Sequence, residues 1–165
     1  MDKALRQVIE KLRDVSVATV ATALFKRGLR NQVIQGVHPV QKDHPEQYNR
    51  PVRNMVGPAF TLRYMPARED RNQLTEFQNP KHPQRQAVEQ CPEGYVLVMD
   101  SRKDARAASA GDILITRLMV RGAEGVVTDG GFRDSMAIAR LDLPSYHCRP
   151  SSPTNLTLHE AIDIN

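Results

Sequence analysis

Tryptophan is absent from these 165 residues, and there are only four phenylalanines and four tyrosines. Proteins that bind exposed bases combine aromatic stacking platforms with dense basic runs. Here the net charge of +4 is spread over short clusters such as Lys26-Arg27 and Arg102-Lys103, so nucleic-acid binding is disfavoured. Long apolar runs are missing too. No stretch approaches the roughly 18 residues that a membrane span requires, and no membrane association is expected. The opening Met1-Asp2-Lys3-Ala4-Leu5-Arg6 is polar and lacks an apolar signal region, which places the expected location in the cytoplasm. Cysteine is limited to Cys91 and Cys148, without CxxC spacing, which reads as reduced thiols and not as a disulfide or a zinc pair.

Several catalytic motif classes are also absent. His38, His44, His82, His147 and His159 are dispersed and form no HxxH or HExxH pattern, which argues against a histidine-based metal site. Ser109 and Ser135 lack a G-x-S-x-G context. Gly122, Gly125, Gly130 and Gly131 build no GxGxxG, so a dinucleotide site has no support. There is no internal repeat or low-complexity segment. The length fits a single domain over residues 1–165 with its own core.

What the sequence does contain is an alternation of helical and apolar extended patterns. Leu5, Val8, Ile9 and Leu12 recur at helical spacing within 2–14. Ser16 reads as the N-cap of a second helix reaching about Lys26, with Gly28 as its stop. Residues 31–53 read as a short strand and an irregular connection. A strand is predicted over 56–64, a long polar loop or insertion over 66–83, and a short helix over 84–90. Tyr95–Asp100 and Glu124–Asp129 are nearly continuous apolar runs, as in strands covered on both faces. Residues 104–109 read as a loop or a short turn of helix. Helices are predicted over 112–120 and 134–140 and a strand over 143–148, with 154–165 left unassigned. This alternation defines an α/β class.

The chemistry concentrates between Gly111 and Asp134. Asp112 is followed by twenty residues and then Arg133-Asp134. Free amides at a helix start, with the helix dipole, favour an anion near Gly111, Asp112, Ile113 and Leu114. Arg133 can hold a carboxylate through two parallel hydrogen bonds, and Asp134 offers a hard oxygen ligand for a cation such as Mg²⁺. Such a set could bind a small 2-oxo acid and stabilise its enolate. A purely structural reading accounts for the same residues. Asp112 and Asp134 could cap helices, Arg133 could form a surface ion pair, Gly130-Gly131 could be a tight turn, and Asp129 could only bond that turn.

The run Arg121-Gly122-Ala123-Glu124-Gly125-Val126-Val127-Thr128-Asp129-Gly130-Gly131-Phe132-Arg133-Asp134 resembles the signature of the RraA-like family. That family includes class II 4-hydroxy-4-methyl-2-oxoglutarate aldolases and the RraA regulators of ribonuclease E. Its aldolase branch is marked by Asp, twenty residues and Arg-Asp, which Asp112, Arg133 and Asp134 match. Thr19–Leu24 with Gly28, and Met55–Thr61, fit as well, so the resemblance spans about 14–162.

The resemblance implies an α/β/β sandwich of the swivelling-domain type, assembled as a trimer or hexamer. It implies a metal-dependent lyase that cleaves 4-hydroxy-2-oxo acids to pyruvate, with oxaloacetate decarboxylation as a second reaction through the same enolate. Asp134 would ligate Mg²⁺ or Mn²⁺, Asp112 would orient metal-bound water, and Arg133 would contact the pyruvyl carboxylate or oxo oxygen. Backbone amides from Gly111 to Leu114 would bind the substrate carboxylate. The alternative it carries is a non-catalytic regulator that binds a ribonuclease. Three departures stand out. The family pattern continues into further C-terminal strands, so a truncated member is expected. The segment 63–83 is longer than in compact aldolases. Thr22 stands where the family commonly has Asp.

Overall fold

The computed structural model describes residues 1–47 and 53–165. Part of the connection expected over 31–53 thus lies outside the described residues.

The N-terminal helices form where the caps place them. Asp2 accepts from the Leu5 amide at 2.7 Å and starts α1 (Lys3–Arg13). Ser16 accepts from the Thr19 amide at 3.2 Å and starts α2 (Val17–Phe25). Each cap satisfies one amide that the first helical turn leaves without a partner. Gly28, at φ +88°, then reverses the chain in a conformation that suits glycine. The connection that follows contains the expected short strand, β1 (His38–Pro39), and then the short helix α3 (Val40–Asp43), which the sequence did not suggest.

A mixed six-stranded sheet forms the centre. Its strands are β2 (Ala59–Pro66), β3 (Val96–Asp100), β5 (Gly125–Thr128), β7 (Ser145–His147) and β9 (His159–Ile164), with β1, in the order β1-β7-β5-β3-β2-β9. The inner strands β7, β5, β3 and β2 run parallel, and the edges β1 and β9 are antiparallel. Parallel neighbours need long crossovers. These carry α4 (Pro83–Gln90), α5 (Asp112–Val120) and α6 (Ser135–Ile138). A second, three-stranded sheet contains β4 (Ala108–Ala110), β6 (Gly131–Phe132) and β8 (Arg149–Pro150) in the order β4-β6-β8.

The core joins these layers. Leu62 and Tyr64 of β2, Leu97 and Met99 of β3, Val126 of β5 and Phe132 of β6 pack with Val88 of α4, Ile115 and Leu118 of α5 and Ile138 of α6. Burial alternates along the second half of β2, while β5 is buried throughout, which matches its unbroken apolar letters. The Arg13 guanidinium holds Glu124 with bonds of 2.6 and 3.0 Å, tying α1 to the turn before β5.

Four sequence expectations change. The 104–109 segment leads into β4 and not into a helical turn. The helix expected over 134–140 is the shorter α6, Ser135–Ile138. The Gly130-Gly131 turn leads directly into β6. The unassigned end contains β9, which closes one edge of the large sheet against β2. Within the loop at 66–83, Leu74–Gln78 forms a 3₁₀ turn.

Candidate functional site

The twenty-residue gap closes because β4 and β6 are parallel neighbours. Ala108 pairs with Gly131 and Ala110 with Phe132, and the Arg133 amide donates to the Ala110 carbonyl at 3.0 Å. The two strands therefore end side by side, one delivering Gly111-Asp112 and the other Arg133-Asp134. Ligands of open α/β sheets gather outside such carboxyl ends.

Small residues make this junction possible. Ala108, Ser109 and Ala110 are all buried. The Ser109 hydroxyl lies 2.6 Å from that of Ser101 and 2.7 Å from that of Thr128, and Thr128 Oγ1 accepts from the Gly130 amide at 2.9 Å. Tyr64 donates to the Ser109 carbonyl at 2.6 Å, and Gln84 donates to the same oxygen. Burial pushes the Tyr64 phenol far above its usual range, so it acts as a fixed donor. This polar network holds the end of β4 against β2, α4 and β5.

Gly111 is the N-cap of α5 with an extended backbone, and Asp112 is the first helical residue. Asp112 is thus not the cap. Its Oδ1 accepts from the Ile113 amide at 2.8 Å. Asp134 does occupy the cap position of α6, but its side chain makes no capping bond, and its backbone is left-handed at φ 55°, ψ 32°. Aspartate tolerates that region better than most residues, and such conformations collect at functional sites. Asp134 Oδ2 lies 3.4 Å from Arg133 Nε, with both side chains nearly half exposed. A Cβ built on Gly111 would fall 2.9 Å from Asp134 Oδ2, so glycine leaves the space the carboxylate occupies.

Gly111, Asp112, Ile113, Leu114, Arg133 and Asp134 all line one cleft of about 350 Å³. The sequence reading missed five of its walls, Phe77, Gln84, Arg85, Ala110 and Thr154. Phe77 comes from the 3₁₀ turn of the long loop, and Gln84 and Arg85 from α4. No local motif marks them; only the polar, proline-punctuated character of 66–83 hinted at a functional loop. Asp129 serves elsewhere: it accepts from the Ser101 and Lys103 amides at 2.6 and 2.9 Å and fixes the turn in which Arg102 and Lys103 are left-handed. The dispersed histidines are not all apart in space. His38 and His147 lie with Asp43, a closeness that the spacing of the histidines along the sequence did not suggest.

The residues present fit a hard divalent cation. Asp134 presents a carboxylate that no backbone cap engages, and Gly111 keeps the space beside it clear. Mg²⁺ is commonly held by one or two carboxylates with waters completing its shell.

The fold and cleft define an α/β protein that sets two aspartates and an arginine at the ends of paired parallel strands. The sequence pattern of the RraA-like family, described as Aldolase/RraA, matches residues 17–164, and the chain belongs to that family. Solved structures agree. RraAS2 of Streptomyces coelicolor, described as an unusual member of the RNase ES inhibitor RraA family, is 25% identical with a TM-score of 0.76; the match covers 99% of this chain and 72% of that one. A Pseudomonas syringae protein is 19% identical with a TM-score of 0.73, covering 96% and 66%. The RNA-processing inhibitor RraA from Thermus thermophilis is 21% identical with a TM-score of 0.53, covering 86% and 74%. Among the described residues, no helix is long and apolar enough to cross a membrane.

Proposed function

We propose that this protein is a divalent-metal-dependent lyase that cleaves 4-hydroxy-2-oxo acids of the 4-hydroxy-4-methyl-2-oxoglutarate type to pyruvate and a second carbonyl compound. The observation that carries this reading is the meeting of Asp112 with Arg133-Asp134 in one cleft. In the reaction the C4 hydroxyl loses its proton, the C3–C4 bond breaks, its electron pair passes into a pyruvate enolate, and C3 is then protonated. Mg²⁺ or Mn²⁺ at Asp134 supplies Lewis acidity toward the oxygen on which that charge develops.

The remaining work falls to the chain. Arg133 pairs with the pyruvyl carboxylate or oxo oxygen, a contact suited to its planar fork. The start of α5 lies where a substrate carboxylate gains from the helix dipole and the Leu114 amide, and it can compete with Asp112 Oδ1 for the Ile113 amide. Asp112 orients a water that carries the proton at the C4 hydroxyl. Arg85, exposed on α4 and lining the same cleft, offers a second cation for a distal carboxylate. Oxaloacetate fits the same scheme, because loss of its C4 carboxylate leaves the same enolate.

Assembly belongs to this reading. Helix α2 buries no residue, and Val17 and Phe25 stand exposed on it, as does Ile113 at the cleft. Exposed apolar side chains of this kind suit contact with further copies in a trimer or hexamer. A second function, ribonuclease binding without catalysis, is favoured by the likeness to RraAS2.

The test is pyruvate release from 4-hydroxy-4-methyl-2-oxoglutarate and from oxaloacetate, with Mg²⁺ and with excess chelator. Chelator-sensitive release that Asp134→Ala abolishes is expected. Near-normal turnover in that variant would sink the assignment. Capture of a ribonuclease in metal-free buffer, with no release from either substrate, would favour the regulator.

A further inference from the structure

We propose a second metal site, distinct from Asp134, in which His38, Asp43 and His147 bind a zinc-class ion. The fold builds this triad from three elements. His38 of β1 and His147 of β7 are direct partners across an antiparallel pair. Residues opposite one another in such a pair project on the same face of the sheet. Their rings meet edge to face with centroids 5.4 Å apart. Helix α3 then turns the chain back immediately after β1 and brings Asp43 over both rings. Asp43 Oδ2 lies 2.8 Å from His147 Nε2 and 3.9 Å from His38 Nε2, and the three donor atoms all fall within 4.8 Å of one another.

A tetrahedral zinc ion with bonds of about 2.0–2.1 Å sets its donors roughly 3.3 Å apart. The observed separations bracket that value, so side-chain adjustment brings the donors to an ion. Two imidazoles and one carboxylate select a borderline metal over Mg²⁺, which prefers oxygen alone. The His38 Nδ1 lies 3.1 Å from the Pro39 carbonyl, a second contact that orients the ring and leaves Nε2 to ligate. Nε2 also lies 3.1 Å from the Cys148 carbonyl, so the ring swings off that oxygen to meet an ion. His147 is fully buried, whereas His38 and Asp43 are each about a quarter exposed, which gives the ion an entry and a position for water.

The site would act as a clamp. It joins β1 and α3 to β7 at one edge of the large sheet, and it adjoins the cleft: Phe132 stacks on His147 at 5.8 Å, and His44 Nε2 lies 2.8 Å from the hydroxyl of Ser135, next to Asp134.

The experiment titrates the full chain carrying Asp134→Asn with Co²⁺ in excess Mg²⁺, which removes the carboxylate site from the readout. One equivalent of Co²⁺ with the visible bands of four- or five-coordinate nitrogen–oxygen ligation is expected. His38→Gln in the same background should weaken uptake at least tenfold with an unchanged circular dichroism spectrum; Asp43→Asn is the second variant. Zn²⁺ should raise the melting temperature of the parent chain and not that of His38→Gln. No Co²⁺ uptake, or uptake unchanged by both His38→Gln and Asp43→Asn, overturns the proposal.

Discussion

Substituting Gly111 by alanine separates the chemistry of the cleft from its stability. The backbone there is extended, at φ −124° and ψ −179°, which alanine adopts freely. Alanine reduces the freedom of the unfolded chain, worth about 0.4–1 kcal/mol in favour of the fold. As an N-cap it is weaker than glycine by about the same amount, so the two effects offset. The new Cβ meets Asp134 Oδ2 at 2.9 Å, whereas ordinary contact begins near 3.4 Å. The nearest atom is the end of a rotatable side chain, so the carboxylate gives way by about 0.5 Å and the fold does not. That displacement is the tolerance a preorganised site allows, and shifts of about 1 Å cost on the order of 100-fold. Gly111→Ala should therefore weaken Mn²⁺ binding, read by paramagnetic resonance, about 10- to 100-fold, with a similar fall in kcat/KM. Its melting temperature should stay within about 4 °C of the parent, the equivalent of roughly 1 kcal/mol at this size. Unchanged Mn²⁺ affinity would refute the placement of the metal beside Gly111. A large loss of stability would refute the argument that only the side chain moves.

Asp134→Asn and Asp134→Ala should both end metal-dependent turnover. Only alanine should also destabilise, by about 1 kcal/mol, because asparagine tolerates the left-handed backbone; equal melting temperatures would contradict this. Arg85→Gln should cut kcat/KM for a dicarboxylic 4-hydroxy-2-oxo acid about 10- to 100-fold, the worth of one charge-assisted bond, and leave a monocarboxylic analogue unaffected. Equal losses for both substrates would remove Arg85 from the distal carboxylate. His82, His147 and His159 are buried, and burial holds each below its ordinary value of 6.5. The unfolded chain then binds more protons, so this contribution is complete above about pH 6.5 and falls as pH drops toward the folded values, by up to about 1.4 kcal/mol per unit for each histidine. Urea melts at pH 7 and 5.5 should show lower stability at 5.5; a flat or rising trend would refute it.

The readable parts of this chain are those where a local rule and the tertiary environment agree. Unbroken apolar letters at 96–99 and 125–127 become the buried inner strands, and Ser16 caps its helix as its position suggests. The unreadable parts depend on distant partners. Strands β4 and β6 are three and two residues of Ala, Ser, Gly and Phe, too short and too small to show strand periodicity. They exist because each pairs with the other. β9 contains histidine and two acids, and it is a strand because β2 lies beside it. His38 and His147 are separated by most of the chain, and spacing rules that look for neighbouring ligands cannot join them.

The interval between Asp112 and Arg133 is therefore a statement of register more than of chemistry. It holds α5, the turn at Gly122, β5 and the Thr128–Gly130 turn, a path that leaves the end of β4 and returns the chain to β6 beside it. The Arg133–Ala110 bond and the Ala110–Phe132 pairing fix where that return ends. A residue added to or removed from this path would move Arg133-Asp134 along β4 by about 3.3 Å, or force a bulge, even with every cleft residue still present. That dependence gives the spacing its physical content. Aspartate is common at helix starts, but this interval places one pair of strand ends, and with them both acids and the arginine, around a single cleft.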